Sequence, residues 1–76
     1  MLTAENEKTL LELGFKPIYP SRVPQDKPYH YRKIYSRGYL FLKVIISIDG
    51  SIKVSGCVYN LQYQHDLAIF REKGIV

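Results

Sequence analysis

Leu40-Phe41-Leu42-Lys43-Val44-Ile45-Ile46-Ser47-Ile48-Asp49-Gly50-Ser51-Ile52-Lys53-Val54-Ser55-Gly56 is the stretch whose reading decides the fold. Its two halves are rich in β-branched residues and meet at an Asp-Gly pair, the pattern of a β-hairpin. Loop length then sets which residues face each other. A two-residue Asp49-Gly50 loop places Ile46 opposite Lys53 and Val44 opposite Ser55, which mixes the faces. A three-residue loop, Ile48-Asp49-Gly50, with Gly50 left-handed, pairs Ile46 with Ile52, Val44 with Val54 and Leu40 with Val58. The hydrophobic pattern selects this second register.

Toward the N-terminus, Tyr29 to Tyr35 reads as a further strand, joined through Ser36-Arg37-Gly38. A three-residue loop with glycine third pairs Tyr35 with Tyr39 and Ile34 with Leu40. The result is an antiparallel meander over 29–35, 39–47 and 51–59. One face collects Ile34, Leu40, Leu42, Val44, Ile46, Ile52, Val54 and Val58 as an aliphatic core, with Gly56 permitting a close approach and His30 and Arg32 at its open end. The other face collects Tyr29, Tyr31, Lys33, Tyr35, Tyr39, Phe41, Lys43, Ile45, Lys53, Ser55, Cys57 and Tyr59.

Outside the meander, Thr3 reads as an N-cap followed by acidic residues in a first turn, Leu10, Leu11 and Leu13 supply an apolar stripe, and Gly14 suits a helix end. The spacing predicts a helix over 4–13, with Phe15 folding back onto it. Asn60 as N-cap, the helical recurrence of Tyr63, Leu67 and Phe70, and Gly74 at the end predict a second helix over 61–73. Between the first helix and the sheet, 16–28 holds Pro17, Pro20, Pro24 and Pro28 and reads as an extended loop, anchored through Ile18, Tyr19 and Val23. The fold class is α+β, two layers, in the order helix, three-stranded meander, helix, as one domain over 1–76.

Composition narrows the function. A chain of 76 residues buries about 60% of the surface its unfolded form exposes, which leaves little material for a roofed active-site cleft. One cysteine, Cys57, cannot form an internal disulfide and points to a reducing, cytoplasmic setting. The acidic N-terminus lacks the features of an export signal, and no apolar run is long enough to span a membrane. The formal charge of +4 is uneven. Eight Lys and Arg against two Asp fall in 14–59, so the loop and sheet carry the positive field and favour an acidic partner.

Catalytic and metal readings find little. His65 and Asp66, adjacent on a helix, point about 100° apart and read as solvated surface. Cys57 and His30, assigned to opposite faces, do not make a nucleophile pair. His30, Cys57 and His65 lack the close spacing of a structural zinc site, so neither metal nor cofactor is expected. No glycine-rich phosphate loop is present.

Function therefore falls to the face that two helices would leave uncovered. Its candidate binding residues are Tyr29, Tyr31, Lys33, Tyr35, Tyr39, Phe41, Lys43, Lys53 and Tyr59. Tyrosine-rich surfaces with few acids suit protein partners or self-association, which is the leading expectation for a non-enzymatic binding module. The alternative is nucleic acid, with aromatic rings stacking on bases and lysines meeting phosphates. The plain alternative to both is cross-strand pairing that only stabilises the sheet.

The order of elements is that of the double-stranded RNA-binding domain, but the start of the second helix, Asn60-Leu61-Gln62-Tyr63-Gln64-His65, lacks that family's lysine cluster. Leu11-Glu12-Leu13-Gly14-Phe15-Lys16, Tyr29-His30-Tyr31-Arg32-Lys33 and Gly50-Ser51-Ile52-Lys53-Val54-Ser55-Gly56 resemble small accessory proteins of phages and prophages. That resemblance implies a compact binder of host or phage proteins, such as a regulator or inhibitor of a host system.

Overall fold

The computed structural model describes residues 2–19 and 28–75. In chain order the elements are α1 (Ala4–Glu12), β1 (Lys16–Ile18), β2 (His30–Arg37), β3 (Leu40–Ser47), β4 (Ile52–Gly56) and α2 (Leu61–Glu72). The fold is the expected helix, antiparallel meander and helix, but the sheet has four strands in the order β1-β2-β3-β4. The added strand is the start of the proline-rich segment, where Lys16, Pro17 and Ile18 pair with Arg32, Tyr31 and His30. Proline is tolerated there because β1 is an edge strand. Val23 and the rest of 20–27 lie outside the described residues.

Both helices start where their caps predict. Thr3 and Asn6 form a reciprocal capping box on α1, and the Asn60 side chain accepts from the Tyr63 N–H on α2. Gly14, with φ 94°, turns the chain so that Phe15 N–H reaches Leu10 O at 3.0 Å. Phe15 then packs edge-on against Phe70 of α2, ring centroids 5.7 Å apart. Asn6 Nδ2 donates to Lys73 O at 3.2 Å and ties the start of α1 to the end of α2. Leu10, Phe15, Tyr31, Tyr35, Leu42, Val44, Ile46, Tyr63 and Phe70 belong to one buried cluster, so both helices cover the same face of the sheet.

The β3–β4 hairpin has the register read from the sequence: Ile46 faces Ile52 and Val44 faces Val54. Its ladder ends at Leu42 and Gly56, short of the expected Leu40–Val58 pair. Asp49 fixes the turn by accepting from the Ser51 N–H at 2.9 Å and the Ser51 hydroxyl at 2.7 Å, which holds its carboxyl below the ordinary value.

The β2–β3 hairpin differs from expectation. Arg37 faces Leu40, so the loop is Gly38-Tyr39 alone. Gly38, φ 63°, takes the first central position, where a type II′ turn needs glycine. Tyr35 now faces Leu42 in place of Tyr39. This is a slip of three residues, an odd number, and it sends every β2 side chain to the face opposite the one expected. Tyr31 and Tyr35, each 3% exposed, are core residues, while Ile34 is 55% exposed on the uncovered side.

Candidate functional site

The register correction divides the nine expected binding residues. Tyr31, Lys33 and Tyr35 lie under the helices and do not belong to the outer face. Their polar ends are satisfied from within. Tyr31 donates to Glu7 Oε1 at 2.8 Å, and burial together with that bond pushes its hydroxyl well above the usual tyrosine range. Tyr35 donates to Asp66 Oδ2, and burial and the neighbouring carboxylate raise it in the same direction. Lys33 Nζ stands 3.1 Å from Asp66 Oδ2, donates to Leu13 O and lies 4.5 Å from the centre of the Tyr35 ring. Asp66, expected at the surface, is fully buried because Tyr63, Asp66, Leu67 and Phe70 share one stripe of α2. Gln62 Nε2 reaches its other oxygen at 3.4 Å. This cluster is structural wiring between α2, the end of α1 and β2.

The outer face is what remains, and cross-strand partners define it because directly opposed residues share a side. One row across the sheet is Lys16, Arg32, Ile45, Lys53, and the next is Ile34, Lys43, Ser55. Flanking rows add Ile18, His30 and Ser47 at one end and Ser36 and Phe41 at the other. Of the expected residues, Phe41, Lys43 and Lys53 are on this face. Phe41 is 57% exposed. His30, Arg32 and Ile34 join the face because of the two-residue turn, and Lys16 joins it because the start of the expected loop pairs as β1.

Electrostatically the face has one sign. Four cations, Lys16, Arg32, Lys43 and Lys53, alternate with Ile18, Ile34 and Ile45, and no Asp or Glu on the described strands joins them. With strands about 4.8 Å apart, Lys16 and Lys53 are rooted about 14 Å apart across the sheet. His30 reports the field: partial burial, then Arg32 and Lys43, hold its imidazole below the ordinary value. No described element packs over this side.

Tyr39 and Tyr59 sit at one end of the face, 95% and 87% exposed, around a cleft of about 170 Å³ that Arg37, Phe41 and Cys57 also line. Tyr29, just ahead of β2, is 46% exposed and sets its ring edge-to-face against His30 at 4.1 Å. His30 and Cys57 share the outer side after all, since the slip moved His30. They occupy opposite ends of it, six β3 positions apart by their partners Ser47 and Phe41, or about 20 Å. Among the described residues no three His, Cys, Asp or Glu side chains gather as metal ligands would, and no helix is long and apolar enough to cross a membrane.

Compared with known proteins, the chain matches no family model, no curated protein and no solved structure.

Proposed function

We propose that this chain is a small non-enzymatic binding module whose outer sheet face docks an acidic surface of a partner protein. The observation that carries this reading is the patch itself: Ile18, Ile34, Ile45 and Phe41 interleaved with Lys16, Arg32, Lys43 and Lys53 across neighbouring rows, without a described acid on the strands. Exposed branched and aromatic side chains set among cations, with no acid between them, suit a protein interface. The cations supply steering and orientation, and the branched side chains supply buried area. Isoleucine does not stack on bases as an aromatic ring does, and the cations of the described rows stand beside isoleucines while Tyr39 and Tyr59 lie at one end of the face, so protein ranks above nucleic acid. Face-to-face pairing of two copies would bring eight cations together, which favours an acidic partner over a second copy.

The test begins with affinity capture on the immobilised chain, followed by purification of the captured protein and calorimetric titration. The expected result is a partner with an acidic surface whose affinity falls about 100-fold for the double variant Ile34→Glu, Lys43→Glu and weakens with salt. Equal affinity for wild type and the double variant would sink the reading. Retention of nuclease-sensitive material alone would replace it with nucleic-acid binding.

A further inference from the structure

β2 outruns its edge partner. β1 has three residues, β2 has eight, and past Lys16 the chain leaves the sheet through Gly14 into α1. Backbone groups along β2 point alternately to its two neighbours. Ile48 N–H donates to Tyr29 O at 3.3 Å, which assigns Tyr31, Lys33 and Tyr35 to the β3 side and His30, Arg32 and Ile34 to the β1 side. His30 and Arg32 meet Ile18 and Lys16. Ile34 has no β1 residue opposite, and no described backbone group bonds to it from that side.

The gap so formed is a cavity of about 260 Å³ lined by Gly14, Lys16, Arg32, Lys33 and Ile34. Three of those five residues are cationic and none is acidic. A Cβ on Gly14 would lie 3.8 Å from Lys33 Nζ, so glycine leaves the wall beside the ammonium bare. Lys33 is balanced from behind by Asp66. Neither Lys16 nor Arg32 has an acidic partner among the described residues.

We propose that this notch is an oxyanion site for a phosphate group, free or as a monoester. Two cations without an acidic partner among the described residues match the two charges of a phosphate. Arg32 offers a planar fork, Lys16 a compact charge and the Ile34 N–H a fixed donor from the sheet edge. Lys33 retains a third ammonium proton beyond those given to Leu13 O and Asp66. The notch is read from the backbone and the strand lengths and does not rest on the docking of a protein partner.

The experiment titrates the full chain with inorganic phosphate, and separately with glycerol 3-phosphate, at ionic strength held constant with sodium chloride. Backbone amide resonances are the readout. The expected result is saturable shifts centred on Gly14, Lys16, Arg32 and Ile34, weakened about tenfold by Arg32→Gln and unchanged by Lys8→Gln, which removes one charge from the exposed side of α1. Tighter binding of one ligand tells a free ion from an ester. Shifts that fail to saturate, spread evenly to Lys43 and Lys53, or survive Arg32→Gln in a folded variant would overturn the site. No protein partner enters this titration, so it fails or succeeds apart from the docking reading.

Discussion

The Tyr35 hydroxyl donates to the fully buried carboxylate of Asp66, 31 positions further along the chain. Lys33 joins the same oxygen, so one side chain on α2 satisfies two on β2. Removing it leaves an ammonium and a hydroxyl without their acceptor beneath the helices. Asp66→Ala should cost about 3 kcal/mol, the lower part of the range for breaking a buried pair because the Lys33 side chain retains some contact with water. Chemical denaturation measures it. Replacing all three groups, Lys33→Met and Tyr35→Phe with Asp66→Leu, should recover most of the loss, and a triple variant no better than Asp66→Ala would refute the pairing.

The two core tyrosines set the behaviour of the fold at alkaline pH. Both hydroxyls are raised above the free value of 10, so the unfolded chain releases these protons first. The stabilisation is whole below about pH 10 and is lost as pH climbs toward the folded values, with a slope of about 1.4 kcal/mol per pH unit for each tyrosine. Tyrosinate absorbance followed against pH should show Tyr31 and Tyr35 ionising only with unfolding. Seven tyrosines titrating together near pH 10 in the folded state would contradict the burial.

Substitution separates the two registers of β2. Under the two-residue Gly38-Tyr39 turn, Tyr35 is core and Phe41 is surface. Tyr35→Ala should therefore cost about 3 to 5 kcal/mol and Phe41→Ala about 1 kcal/mol or less, read from unfolding midpoints at constant denaturant slope. Comparable losses at both positions would mean that the faces are assigned wrongly.

The contrast between the two hairpins shows what local sequence can decide. At Ile48-Asp49-Gly50 the wrong loop length puts Lys53 against Ile46, so side-chain pattern and turn chemistry agree on one answer. At Ser36-Arg37-Gly38-Tyr39 glycine serves equally as the third residue of a three-residue loop or the first of a type II′ pair. The β2 pattern does not break the tie, because Ile34 on one side competes with Tyr31 and Tyr35 on the other. The deciding partners, Glu7 and Asp66, lie 24 and 31 positions away. One signal was present: Asp66 falls on the helical stripe of Tyr63, Leu67 and Phe70, and an acid there calls for a cation or hydroxyl on the facing strand. The outer face inherited the same ambiguity, which is why Arg32 and Ile34 were absent from the expected site while Phe41, Lys43 and Lys53, fixed by β3 and β4, were on it.

Glycine tests the close contact predicted at position 56. Gly56 has φ 108°, and a Cβ there would lie 2.3 Å from Phe41 O, a backbone atom that cannot step aside. Gly38 has φ 63° with open space around it. Gly38→Ala should cost about 1 to 2 kcal/mol, the left-handed backbone alone. Gly56→Ala adds a steric clash to that term and should cost more than Gly38→Ala by thermal or chemical unfolding. Equal costs would show that β3 and β4 do not approach as closely as described.

His30 offers a readout of the outer face itself. Its imidazole is held below the ordinary value by partial burial and by Arg32 and Lys43, so the folded state disfavours its protonation. For a group depressed in this way, its contribution to stability is present above pH 6.5 and declines as pH falls through the folded value. Arg32→Gln or Lys43→Gln should each raise the His30 midpoint, measured from its ring carbon-bound proton shifts, because each removes a charge that opposes a second one. A docked acidic protein should raise it further by placing carboxylates over the same cations. Binding would then take up a proton and strengthen as pH falls toward the His30 midpoint, measurable as a buffer-dependent heat in calorimetry. A midpoint that ignores Lys43→Gln would separate His30 from the basic face, and with it this link between pH and binding.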